Sequence, residues 1–127
     1  STTGRPRRCG WFDGPAARYA AAINGFDGAV VTKIDVLDSL PEIQFCTHYQ
    51  YKGSVLKDYP ADIHMLAGVQ PVYRTFRGWQ QSIAGIHDWK ALPVPAQDYL
   101  KFLSDYLETP LAMVSTGAAR EETIRLM

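Results

Sequence analysis

Apolar positions along this chain change their spacing several times, and each change marks an element. Asp13-Gly14-Pro15 pairs an N-capping carboxylate with a first-turn proline, which predicts a helix start. Residues 16–23 continue that helix, with Tyr19 and Ile23 four apart on one face, and Asn24-Gly25 ends it with residues that tolerate a left-handed backbone. The unbroken run Ala29-Val30-Val31, entering Thr32-Lys33, predicts a strand buried on both faces, as in a parallel or mixed sheet. Residues 43–51 alternate, placing Ile43, Phe45, Tyr49 and Tyr51 on one side. Lys52-Gly53-Ser54 then reads as a turn and residues 55–59 as the returning strand of a hairpin. Residues 69–76 suit another strand, and Pro71 puts it at a sheet edge.

The period lengthens over residues 95–108, where Tyr99, Phe102, Leu103, Tyr106 and Leu107 form a helical stripe closed by Thr109-Pro110. Residues 111–115 predict a last buried strand, and residues 120–126 read as helical. The class is mixed α and β, written α/β. Composition adds bounds. The 127 residues fit one domain, and 46% hydrophobic with 20% charged residues is too apolar for a disordered tail. Thirteen basic against 13 acidic residues give zero net charge, so nucleic acid is not an expected partner. No apolar run reaches the roughly 20 residues that cross a bilayer, so no membrane is expected. The two cysteines, Cys9 and Cys46, are too few for a disulfide framework, which predicts a reducing, cytoplasmic setting. The chain starts at Ser1 in a basic motif and stops in helical-reading sequence, so we expect a piece of a longer protein.

Three constellations carry chemistry. Thr2-Thr3-Gly4-Arg5-Pro6-Arg7-Arg8 sets three guanidinium groups within four positions, beside two hydroxyls and a glycine. Arginine's planar fork matches carboxylate and phosphate oxygens, so the segment reads either as an anion-binding loop or as a solvated basic terminus. Val30-Val31-Thr32-Lys33-Ile34-Asp35 delivers a Lys and an Asp at the C-terminal end of a strand, where open α/β sheets bind ligands. The spacing is that of the guanine-reading [NT]-K-x-D motif. A carboxylate accepts from guanine N1–H and the 2-amino group, and adenine offers no such pair. In isolation the tetrapeptide reads first as an ordinary strand end with a surface ion pair. Leu111-Ala112-Met113-Val114-Ser115-Thr116-Gly117 again ends an apolar strand in small polar residues. That suits a flat base against the backbone, or a plain strand-to-helix turn with a hydroxyl cap.

Other residues read as structural. His48, His64 and His87 are scattered without metal-ligand spacing. The cysteines read as free thiols, and Trp11, Trp79 and Trp89 as core or interface residues. Nothing supports acid–base work by Asp35 and Asp38. No GxxxxGK[ST] loop occurs, so the chain has no evident cradle for a triphosphate.

Taken together, the motifs are more specific than any one of them. The segment from Thr2 to Asp13 closely resembles the arginine-rich segment of adenylosuccinate synthetases. The resemblance continues through Thr32-Lys33-Ile34-Asp35-Val36-Leu37-Asp38, Gly78-Trp79, Ser115-Thr116-Gly117 and Arg120-Glu121-Glu122-Thr123. It implies the C-terminal portion, residues 1–127, of a P-loop-NTPase-like fold. The implied enzyme is a GTP-dependent ligase that joins IMP and L-aspartate into adenylosuccinate, on the route to AMP. It is a cytoplasmic homodimer that uses Mg2+.

By the same resemblance, Thr2, Thr3, Gly4, Arg5 and Arg7 match the loop over aspartate and IMP. Arg7, Lys33, Ile34, Asp35, Ser115, Thr116 and Gly117 match GTP contacts. Pro6 replaces an Arg, and Ala118-Ala119 stands where Pro-Asp is common. The family's catalytic residues, phosphate loop and magnesium ligands lie N-terminal to this segment, so no catalytic residue and no metal ligand is expected on this chain. The alternative is a non-catalytic guanine-nucleotide-binding or interaction module.

Overall fold

The computed structural model describes residues 9–127. It is a mixed α/β fold of two small sheets sharing one core. The first sheet centres on β3 (Glu42–Tyr51). On one side β3 pairs in parallel with the short β1 (Phe12–Asp13) and antiparallel with β4 (Ser54–Leu56). On its other side it pairs antiparallel with β5 (Gln70–Arg77). The β3–β4 hairpin is the expected one, with Lys52 (φ 49°) and Gly53 (φ 81°) both left-handed at the turn, as a tight hairpin requires. The returning strand is shorter than expected. β5 occupies an edge position, with Pro71 opposite Tyr49.

The second sheet orders β2 (Ala29–Val31), β6 (Leu111–Ser115) and β7 (Thr123–Arg125). β2 and β6 run parallel, with Val31 beside Val114, and β7 returns antiparallel to β6. Two expectations are corrected here. The helix read at residues 120–126 is strand β7: β-branched Thr123 and Ile124 favour extended backbone, and Ile124 is buried. The strand β2 is not covered on both faces: Ala29 and Val31 pack against the core, while Val30 points to the opposite face and is exposed.

Helix α1 (Gly14–Asn24) starts where expected, with the Ala16 N–H donating to the Asp13 carboxylate at 3.3 Å. It ends at left-handed Gly25. Its Tyr19–Ile23 face is exposed; the buried residues are Gly14, Pro15 and Ala21. Gly14 is required by close approach, since a Cβ there would meet the Cys46 carbonyl and the Tyr106 ring. A one-and-a-half-turn helix, α2 (Ile63–Ala67), was not foreseen. Helix α3 (Val94–Leu107) buries the predicted stripe together with Ala96 and Leu100. The Phe45 ring sits at the centre, packed edge-on against Phe102, Tyr106 and Tyr99. Phe45, Leu100 and Val114 are completely buried, so the core runs continuously from the first sheet through α3 to the parallel pair.

Candidate functional site

The parallel β2–β6 pair fixes the geometry of the site. Because Val31 lies beside Val114, both strands finish at the same sheet edge. Residues following them, Lys33 to Asp35 and Ser115 to Gly117, are therefore brought together there. A hydrogen bond joins them directly: the Lys33 N–H donates to Ser115 Oγ at 2.9 Å. Lys33 itself is left-handed (φ 60°, ψ 36°), an uncommon conformation for a residue with a side chain. It breaks the strand and starts a 3₁₀ turn over Ile34–Leu37, which carries Asp35. Ile34 is buried in the common core and pins that turn.

Asp35 is the exception to local polar satisfaction. Its Oδ1 is buried and has no hydrogen-bond partner among the described residues. Buried polar atoms are almost always paired, and an unpaired carboxylate oxygen costs stability unless a ligand completes it. Asp38, one turn further on, differs fully. It accepts from the Trp79 indole N–H at 2.7 Å and from the Ile83 N–H at 3.2 Å, so its role is structural.

On the β6 side, Thr116 is completely buried. Its N–H donates to the Glu122 carbonyl at 2.8 Å, and its hydroxyl lies 2.8 Å from the Ile86 carbonyl and 3.2 Å from that of Glu122. The chain after Gly117 makes a tight turn, not a helix. The Glu122 carboxylate holds that turn by accepting from the Ala119 N–H at 3.1 Å and the Gly85 N–H at 3.1 Å. A Cβ on Gly117 would collide with this carboxylate, so any larger residue there requires the Glu122 side chain to move. The N–H groups of Gly117 and Ala118 take no partner among the described residues.

A cleft of about 200 Å³ brings Gly10 and Trp11 against Thr32, Lys33 and Ile34. The arginine-rich segment thus joins the described chain beside the β2 end of the site. Thr2, Thr3, Gly4, Arg5 and Arg7 themselves lie outside the described residues. The three histidines take separate places: His48 Nδ1 is 2.9 Å from Thr47 Oγ1, His87 Nδ1 is 3.3 Å from the Gly85 carbonyl, and His64 lies in α2. Cys9 is exposed and Cys46 buried, both as thiols, and burial pushes the Cys46 thiol pKa up. Sequence reading passed over Glu122 and the loop at residues 83–86. An apolar Ile83 two positions before Gly85 was the available signal, but nothing in the spacing said what that loop would touch.

The fold defines the class first. This is a mixed α/β protein in which two parallel strands bring their carboxyl ends side by side, the place where open α/β sheets bind ligands. Comparison then identifies the family. The family model for adenylosuccinate synthetase matches residues 1–124. The adenylosuccinate synthetase of Aquifex aeolicus (strain VF5) is 48% identical over 126 residues, 99% of this chain and 29% of that protein. The Thermodesulfovibrio yellowstonii enzyme is 45% identical over 124 residues, 98% of this chain and 29% of that protein. The fully ligated adenylosuccinate synthetase from Plasmodium falciparum superposes with a TM-score of 0.92 at 35% identity, over 99% of this chain and 31% of that one. The chain belongs to the adenylosuccinate synthetase family and spans about 29% of the length of the curated relatives it matches.

Proposed function

We propose that this chain is the C-terminal, guanine-reading portion of an adenylosuccinate synthetase, a GTP-dependent ligase joining IMP and L-aspartate. The observation that carries the reading is the buried, unpartnered Asp35 Oδ1 at the edge where two strand ends meet. A guanine base supplies what that carboxylate lacks, two donors side by side at N1–H and the 2-amino group. The unpartnered N–H groups of Gly117 and Ala118 suit the base's 6-oxygen on the other side. Ser115 holds Lys33 in place, leaving the Lys33 stem to cover the base and its ammonium to meet oxygens. Ile34 anchors the turn and Thr116 fixes the backbone that presents Gly117.

In this reading Thr2, Thr3, Gly4, Arg5 and Arg7 close over aspartate and IMP, with Arg7 also reaching GTP. The P-loop-like core, the groups that act on the 6-oxygen of IMP and the magnesium ligands belong to the rest of the enzyme. Among the described residues no group of three or more His, Cys, Asp or Glu side chains could hold a metal ion. No step here runs through one. No helix among them is long and apolar enough to cross a membrane. The cytoplasmic homodimer we assign rests on the family resemblance. The uncovered faces at Val30, Tyr19 and Ile23 suit contact with the remaining polypeptide. The test is turnover. The full-length protein forms adenylosuccinate only when IMP, GTP and aspartate are all present, and the 127-residue chain alone forms none. Turnover by the chain alone, or by the full-length protein without GTP, contradicts the reading.

A further inference from the structure

The two halves of the base site are joined a second time, by a segment that touches neither motif's ligand-facing atoms. Residues 78–86 leave β5, cross behind the site and carry the buried side chains of Trp79 and Ile83 into the core. At the near end, Gly78 is pinned to the 3₁₀ side: its N–H donates to the Pro41 carbonyl at 2.9 Å, and a Cβ would strike the Leu40 carbonyl. Asp38, on the turn that bears Asp35, then takes the Trp79 indole N–H and the Ile83 N–H. At the far end the Gly85 N–H donates to the Glu122 carboxylate, and the Ile86 carbonyl accepts from Thr116 Oγ1. The other oxygen of Glu122 takes the Ala119 N–H, so one carboxylate ties the brace to the turn that follows Gly117.

We propose that residues 78–86 form a brace setting the spacing between Asp35 and Gly117, with Asp38 and Glu122 as its two positioning residues. This rests on the guanine-site reading above and extends it. Neither carboxylate touches the nucleotide; each accepts two N–H groups and fixes a backbone that does. The brace spans two elements that the sequence separates widely; beyond the last rungs of the β2–β6 ladder, the Lys33–Ser115 bond joins them at a single point. Charge-assisted bonds suit that task because they are stronger and more directional than neutral ones.

The experiment is steady-state kinetics of the full-length synthetase with Glu122→Gln, Asp38→Asn and the double variant. An amide keeps the shape of each side chain but removes one of its two acceptors. Each single variant raises the KM for GTP about tenfold, the scale of a lost charge-assisted bond. The KM values for IMP and aspartate, and kcat, stay within about twofold of wild type. A brace freed at one end gains little from release at the other, so the double variant resembles the worse single one. Effects that multiply in the double variant, an unchanged KM for GTP, or a joint shift of all three substrates overturn the brace. Should Glu122→Gln not accumulate as folded protein, Asp38→Asn carries the same test. Asp35→Asn separates the two ideas: if it weakens GTP use while the brace variants do not, only the brace fails. If none of them affects GTP, the base site itself is misread.

Discussion

Lys33 donates its backbone N–H to Ser115 Oγ at 2.9 Å, although the two residues are 82 positions apart. The bond joins the ends of two parallel strands and makes a single site of two short motifs. It also sits on the strained side of the site, because Lys33 is held left-handed. Ser115→Ala removes the acceptor and leaves that N–H to solvent. We expect a loss of about 1 kcal/mol in stability and a rise in the KM for GTP, with IMP and aspartate unaffected. Denaturant melts and substrate-by-substrate kinetics of the full-length protein check it.

Lys33→Gly separates backbone from side chain. Glycine adopts the left-handed region freely, so relief of roughly 1 kcal/mol of strain offsets its greater unfolded-state freedom. Stability should hold within about 1 kcal/mol of wild type while affinity for GTP falls, because the stem and ammonium over the base are gone. A variant that melts much earlier, with GTP use intact, places the role of Lys33 in folding.

Gly117→Ala tests the space against Glu122. The added methyl would meet the carboxylate that holds Gly85 and Ala119, so the Glu122 side chain must move and its two bonds are disturbed. The expected signature is a KM for GTP raised by an order of magnitude or more, with little change in the core, because the displaced N–H groups are those aimed at the base. Hydrogen exchange should quicken at Gly85 and Ala119 while Leu100 and Val114 stay protected.

Alkaline pH reads the core. Burial on the inner face of α3, against Phe45 and Phe76, pushes Tyr99 up to about 12, from an ordinary value of 10. The unfolded chain therefore loses that proton first as pH rises. Its contribution is fully present below pH 10 and is lost between pH 10 and about 12. Tyr99→Phe should flatten the fall in stability across that window, measured by denaturant titration at several pH values.

Much of this arrangement is written in local patterns. The N-cap at Asp13, the Lys52-Gly53 turn and the stripe from Tyr99 to Leu107 each follow from interactions within a few residues. What escaped was decided by long-range packing. Residues 120–126 carry charges at a helical spacing, yet Ile124 is needed beside Val114, and the strand wins. Val30 reads as core by composition, but burial depends on what packs over its face of the sheet, and among the described residues only the face of Ala29 and Val31 meets the core. The motifs at Asp35 and Gly117 stand out in the sequence because their residue pattern is local. Asp38 and Glu122 were not, because a carboxylate that braces a loop looks like any surface acid until the loop is in place.

The central claim is that Asp35 reads guanine, and nucleotide preference tests it most directly. An Asp accepts from both guanine donors; an Asn accepts from N1–H and donates to an oxygen, which suits xanthine at the 2-position. The kcat/KM of the full-length protein for GTP and for XTP should be compared between wild type and Asp35→Asn. We predict that the variant loses GTP use by a few kcal/mol, about a hundredfold, and gains XTP use until the preference reverses. An unchanged GTP-to-XTP ratio contradicts the account.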